Sequence, residues 1–195
     1  MWRRVMRPGE SPMKLIVVSS FLVYAACGTD PVSYSAPVGI NLKAKSGDVS
    51  GTTISEDKSI TTEASNPYGS FVSAATTKIG RAPGRIEVDH ATLLLGAQST
   101  NVTKLEDVFA GAVDVSFVIN DSNNTYHVGT LTDPSGVGPI DLDISLAGAE
   151  IAPQDFPKYL NGSFKVVARG SAATGFNSKG AEAALQLTFT FAAFE

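Results

Sequence analysis

Few residues in this chain carry side chains able to do more than pack or turn, and they are scattered. They are two histidines, His90 and His127, one cysteine, Cys27, and an amide- and carboxylate-rich run at Asn120, Asp121, Asn123 and Asn124 followed by Asp133. Asp89-His90 with Ser116 or Ser122 would supply the residue types of a serine triad. No serine stands in the Gly-x-Ser-x-Gly turn that exposes such a nucleophile, and geometry rather than residue presence defines a triad. His127 lies between Tyr126 and Val128, on the predicted outward face of a strand. No catalytic residues are therefore assigned, and the chain is not expected to be an enzyme.

Metal chemistry is limited in the same way. A transition-metal site needs several His or Cys ligands, which this composition does not provide. Oxygen donors are more plentiful, and Asn120, Asp121, Asn123 and Asp133 form a weak candidate set for calcium. The same residue types are those that turns need for their own backbone reasons, and their spacing does not match an EF-hand. Gly136-Val137-Gly138 does not open a predicted helix, so it does not read as a phosphate cradle. No cofactor is expected.

Charge narrows the partners. The 195 residues carry a net charge of −4. The N-terminal segment takes Arg3, Arg4, Arg7 and Lys14 with one acid, Glu10, so the remainder is more acidic still. A basic face for nucleic acid is not expected.

Cys27 ends the most informative stretch. Lys14 precedes an apolar run from Leu15 to Ala26 that is shorter than the ~20 residues of a membrane-spanning helix and has the length of a signal-peptide core. Ala25 and Ala26 are small, and the only cysteine follows. This segment resembles the signal sequence and lipobox of a bacterial lipoprotein, with Tyr24 where such signals usually carry an aliphatic residue. The resemblance covers residues 1–27 and implies a signal peptide over 1–26, a lipidated Cys27 and attachment to the cell envelope. Gly28, in place of an aspartate after the cysteine, points by the same resemblance to the outer membrane. The alternative is an ordinary secretory signal that leaves Cys27 as a free thiol, and Met1 and Met13 are both candidate starts. An unpaired exposed thiol is a liability in an oxidising compartment, which favours acylation.

The elements behind these residues read as all-β. Residues 27–37, polar and broken by Pro31 and Pro37, read as a tether, and 38–195 as one domain. Val38, Ile40, Leu42 and Ala44 alternate with polar residues, and Val49 to Ala64 reads as an edge strand plus loop. Asn66-Pro67 starts a helix with Tyr68, Phe71, Val72, Ala75 and Ile79 on one stripe, and Gly80 ends it. Arg85 to Gly96 is a strand in which Leu93-Leu94-Leu95 demands cover on both faces or a bulge. Thr103 to Glu106 reads as a capping box opening a helix of one or two turns.

Val113, Val115, Phe117 and Ile119 give the clearest strand, which turns at Asp121 to Asn124 into a partner holding Tyr126, Val128 and Thr130. Ile140 to Leu146 reads as one half-buried strand, Ala152 to Leu160 as a short irregular helix, and Phe164 to Ala168 as another strand. Ala183 to Phe194, long and apolar, should lie centrally in a sheet. Seven or eight such strands predict an antiparallel β-sandwich with short helical insertions. A membrane β-barrel shares the alternation, but its lipid-facing positions would here hold Lys43, Asp114, Asp141, Asp143, Lys165 and Arg169.

These readings leave two functions. One is a structural or protein-interaction domain anchored to the membrane by lipid, with an envelope protein as partner. The other is a carbohydrate or small-ligand module, with calcium as an aid. The first is preferred, because the aromatics fall on inward stripes rather than where a sugar could stack.

Overall fold

The computed structural model describes residues 32–63, 65–147 and 150–195. Cys27 and the segment read as a signal peptide lie outside them. The described residues form an antiparallel β-sandwich of two sheets. Strands β1 (Ser33–Lys45), β9 (Glu182–Phe194), β3 (Arg85–Leu95) and β6 (Ile140–Asp141) make the first, in that spatial order. Strands β2 (Thr53–Ile60), β8 (Phe164–Ala172), β4 (Phe109–Ile119), β5 (Thr125–Leu131) and β7 (Asp143–Ile144) make the second.

The predicted inward residues fill the space between the sheets. β9 is central, pairing along its length with β1 and β3, and Leu185, Leu187, Phe189, Phe191 and Ala193 are all buried. Opposite them lie Val113, Val115, Phe117 and Ile119 of β4 and Phe164 and Val166 of β8. Burying this many large apolar side chains, at about 1.5–3 kcal/mol each, is what a domain without a disulfide must rely on.

Helix α1 (Pro67–Ile79) follows the sequence expectation at both ends. Asn66 Oδ1 accepts the Tyr68 amide at 3.0 Å, and Gly80 closes the helix at φ +82° with its amide on the Thr76 carbonyl. Tyr68, Phe71 and Ala75 enter the core, where the Tyr68 ring meets Phe164 and Phe191 edge-on at 5.2 and 5.3 Å. Short helix α2 (Phe156–Leu160) contributes buried Tyr159 to the same cluster.

Three local expectations need correction, and the choice left open for β3 is decided in favour of a bulge. Residues 33–37, read as part of a tether, belong to β1, which begins at Ser33 and pairs Ser33 with Phe194 and Pro37 with Thr190. A proline is tolerated there because β1 is an edge strand, where one missing N–H does not break a ladder on both sides. The bulge in β3 falls at Asp89, between the Val88–Phe191 and His90–Thr190 pairs. It resets the alternation so that Leu93 and Leu95 point inward while Leu94 is half-buried on the outer face.

The expected helix after Thr103 is a single 3-10 turn, Leu105–Asp107, and its cap is shifted by one residue. Asp107 Oδ2, rather than Glu106, accepts the amides of Thr103 and Lys104 at 2.9 and 3.1 Å. Glu106 instead accepts the Gly136 amide at 2.6 Å. Last, Ile140 to Leu146 is not one strand. Ile140–Asp141 pairs with β3 and Asp143–Ile144 pairs with β5, so the chain passes from one sheet to the other at buried Leu142.

Candidate functional site

The two histidines lie on opposite outer faces of the sandwich, each beside a bulge. A bulge puts two residues against one, so residues three apart come to share a face. In β5 the register shifts between the Val115–Gly129 and Ser116–His127 pairs, which leaves Val128 as the extra residue. His127 and Thr130 therefore both point outward, and the inward position passes to Leu131, which is 1% exposed. Thr130 thus belongs to the expected partner strand but lies on the face of His127.

His127 is thereby tied into a short chain of polar contacts. Thr130 Oγ1 donates to Asp114 Oδ1 at 2.9 Å and lies 3.2 Å from His127 Nε2. A hydroxyl has one proton, here committed to the carboxylate, so the network assigns the donor role in the second contact to Nε2–H. Ser116 is the cross-strand partner of His127. A serine triad needs the carboxylate directly on the imidazole and free amides to hold an oxyanion. Here a threonine separates the two, and β4 is paired on both sides at Ser116, with Val167 and His127.

These residues line a shallow groove of about 520 Å³ across the five-stranded sheet, with Ser55, Asp114, Ser116 and Thr125 as its small polar floor and His127 and Arg169 as its longer side chains. No aromatic residue borders it.

His90 does not approach a serine. Its Nε2 lies 3.0 Å from Asp141 Oδ1, and both side chains are largely exposed, at 52% and 77%. Asp89, its sequence neighbour, occupies the bulge. Ser116 belongs to the other sheet and Ser122 to its β4–β5 turn, so Asp89 and His90 are not assembled with either serine.

The calcium candidates are likewise separated. Asn120, Asp121 and Asn123 stand in the β4–β5 turn, whereas Asp133 follows the far end of β5, roughly 20 Å away by strand rise. Asp121 and Asn123 have left-handed backbone, φ +68° and +54°, as turn residues do. A cation already occupies this turn, since Lys158 Nζ donates to the Asn120 carbonyl at 3.0 Å and lies 3.8 Å from Asp121 Oδ2. Asn120 Nδ2 donates to Ser163 Oγ, and Asn124 Nδ2 donates to Asp155 Oδ2 at 2.7 Å. Among the described residues no group of three or more His, Cys, Asp or Glu side chains is arranged to hold a metal ion.

Asp133 instead joins Glu106 and Asp107 in a groove of about 550 Å³ at the opposite end of the sandwich, with Ser135, Thr174 and Lys179. Both glutamate and aspartate are held below their usual range. Backbone amides are the leading cause, that of Glu106 itself for Glu106 and that of Thr103 for Asp107. Each of these two carboxylates thus fastens a loop. The sequence carried no sign of this grouping, because it depends on three loops meeting at one end of two sheets.

Asp155 is the most deeply placed acid, 1% exposed. Its Oδ2 accepts from Asn124 at 2.7 Å and from the Tyr126 hydroxyl at 2.8 Å, and Tyr126 in turn accepts the Ala152 amide at 3.1 Å. The Asn124 and then the Tyr126 hydrogen bonds hold its carboxyl below the ordinary range. This cluster ties the β4–β5 turn to the segment before α2 and leaves no free acid or base facing solvent.

No family model matches the chain, and no curated protein matches it.

Proposed function

We propose that this protein is a bacterial envelope lipoprotein, lipidated at Cys27 and anchored to the outer membrane, the membrane that Gly28 favours, and that its β-sandwich has a structural or protein-interaction role rather than a catalytic one. The observation that carries the reading is the sequence of Lys14, a short apolar core and Ala25-Ala26 before the only cysteine of the chain. Acyl chains contribute about 0.8 kcal/mol per buried methylene, and stable anchoring takes more than one chain, which a diacylated or triacylated cysteine would supply. The absence of a nucleophile–base pair in either histidine cluster favours a non-catalytic domain.

A carbohydrate or small-ligand module is the second reading. It has one specific support, the polar groove on the five-stranded sheet, and one feature against it. Among the described residues the only large apolar side chains that are exposed are Val32 and Val137, and no Phe, Tyr or Trp lines this groove for a sugar to stack on.

Cys27→Ser tests the anchor. Cys27 precedes Ser33, where β1 begins, so the substitution should leave the fold intact while abolishing lipid attachment. In a Gram-negative host the wild type should fractionate with membranes, released by detergent and not by salt, and mass spectrometry should find the acyl mass on Cys27. A wholly soluble wild type with a free thiol would refute the lipoprotein reading.

A further inference from the structure

We infer that the end of the sandwich where β1 begins is a membrane-apposed surface, which uses Lys78, Arg81 and Arg85 to meet the phosphates of phospholipid headgroups. The inference rests on the proposed lipidation of Cys27 and specifies what that anchor does to the domain.

Chain length supplies the first argument. Ser33 lies six residues beyond Cys27, and a fully extended chain covers at most ~3.3–3.6 Å per residue, so the start of β1 can lie no more than about 20 Å from the acylated residue. β1 itself, at 13 residues, is roughly 40 Å long. The tether is thus shorter than the strand it leads into, and one end of the sandwich is held near the bilayer.

The residues gathered at that end supply the second. The Glu195 amide donates to the Val32 carbonyl, and the Gly84 amide to the Phe194 carbonyl at 2.9 Å, so the start of β1, the C-terminal residue and the loop after α1 meet there. Residues 65–86 carry Lys78, Arg81 and Arg85 and no acid, in a chain whose net charge is −4. Val32, 41% exposed, lies at the same corner. The Arg85 guanidinium stacks 4.3 Å over the Phe194 ring, which holds it in place.

Among the described residues the side-chain carboxylates paired at this corner are Glu195, 2.7 Å from Arg81, and Glu87, 3.0 Å from Arg85. Both arginines are exposed, with the Arg81 side chain 63% and the Arg85 side chain 48% accessible, although Glu87 is half-buried, so each pair is weakly held and its arginine is open to a phosphate. Lys78, in the last turn of α1, has no ion-pair partner among the described residues. Arginine presents a planar fork suited to phosphate oxygens, and cations beside an anionic leaflet are attracted over about a Debye length.

The test uses the full chain, purified from a Gram-negative host and reconstituted into vesicles of phosphatidylethanolamine and phosphatidylglycerol. With Cys27 acylated, one added cysteine is a unique labelling site. Thr77→Cys reports from α1 beside Lys78, and Asn177→Cys from the opposite end of the sandwich, both at exposed positions. A fluorophore at Thr77→Cys should be quenched several-fold more than one at Asn177→Cys by a nitroxide carried on lipid headgroups. Adding Lys78→Gln, Arg81→Gln and Arg85→Gln together should remove most of that difference while the protein stays on the vesicles, and raised salt should act on the unmutated protein in the same direction. Equal quenching at both ends, or a difference indifferent to both the triple substitution and salt, would overturn the inference while leaving the anchor standing. Protein that carries no acyl mass and does not join vesicles would overturn the anchor and the inference together.

Discussion

The Tyr68 hydroxyl donates to the Tyr159 carbonyl oxygen at 3.0 Å, joining α1 to α2 through the aromatic centre of the sandwich. Both rings are fully buried, with centroids 6.1 Å apart, yet their hydroxyls differ. Burial pushes the Tyr68 phenol well above its usual pKa, so it is a neutral donor, and it has an acceptor. The Tyr159 hydroxyl is buried with no partner among the described residues.

Removing each hydroxyl should therefore have opposite consequences. Tyr68→Phe loses a buried hydrogen bond and should cost about 1 kcal/mol, while Tyr159→Phe removes an unsatisfied polar atom and should be neutral or stabilising. Urea unfolding of the two variants checks this. Equal destabilisation would mean that the Tyr159 hydroxyl has a partner too.

Leu187 lies in central β9 between Ile40 and Leu93 and is 0% exposed. Leu187→Asp places a carboxylate where neither water nor a cation can reach it and should cost more than about 4 kcal/mol. Thermal melting would show loss of the cooperative transition. An unchanged melting temperature would place this residue on the outer face.

These core positions were legible from sequence because their cause is local. Alternation of period two marked β1, β4, β8 and β9, and the Asn66-Pro67 and Gly80 signals bounded α1 to the residue. What escaped was decided elsewhere in the chain. The bulge at Val128 turns Thr130 outward through pairing with β4, and the bulge at Asp89 settles the Leu93-Leu94-Leu95 run from a position upstream of it. Ile140 to Leu146 has the pattern of one strand, but Leu142 serves as a crossing between sheets, a role set by what pairs on either side. The site residues were the least legible, since His127, Thr130 and Asp114 meet only through that bulge, and Asp133 meets Glu106 and Asp107 only through the packing of loops. Cys27, the residue on which the proposed function turns, was read from sequence pattern alone.

Lys158 occupies the turn where calcium was considered, with its ammonium on the Asn120 carbonyl and near Asp121. Added calcium should leave the melting temperature unchanged. Lys158→Ala should lower stability by about 1–2 kcal/mol through loss of a charge-assisted hydrogen bond, and should do so with or without calcium. A calcium-dependent rise of several degrees in the wild type would reopen the site.

A His90→Ala, His127→Ala double variant should match the wild type against generic ester, peptide and glycoside substrates, since His90 faces a carboxylate and His127 donates to the Thr130 hydroxyl rather than taking its proton. Stability should change by less than about 0.5 kcal/mol, the range for surface substitutions. A hydrolytic rate present in the wild type and lost in the variant would make the groove beside His127 an active site.

The last prediction concerns Glu56, on an inward position of edge strand β2 between Ile54 and Ile60, which are both buried. An inward charge on an edge strand discourages pairing with another chain, at a cost to the fold. Here the cost is visible, because Glu56 Oε1 is buried without a hydrogen-bond partner among the described residues. Desolvation first, then the carboxylates of Asp48 and Asp57 against the opposing pull of Lys45, pushes its pKa from 4.5 up to about 7. Between those two values the folded chain holds a proton that the unfolded chain has released, so stability from this group falls as pH rises from 4.5 towards 7 and stays low above it. Glu56→Gln should thus stabilise the protein at pH above 7 by about 1 kcal/mol, a figure reduced for the partial exposure of the side chain, and should have little effect below pH 4.5. Urea midpoints of wild type and variant across this range would show the two curves diverging as pH rises. Parallel curves would mean that water or a cation satisfies the carboxylate in solution.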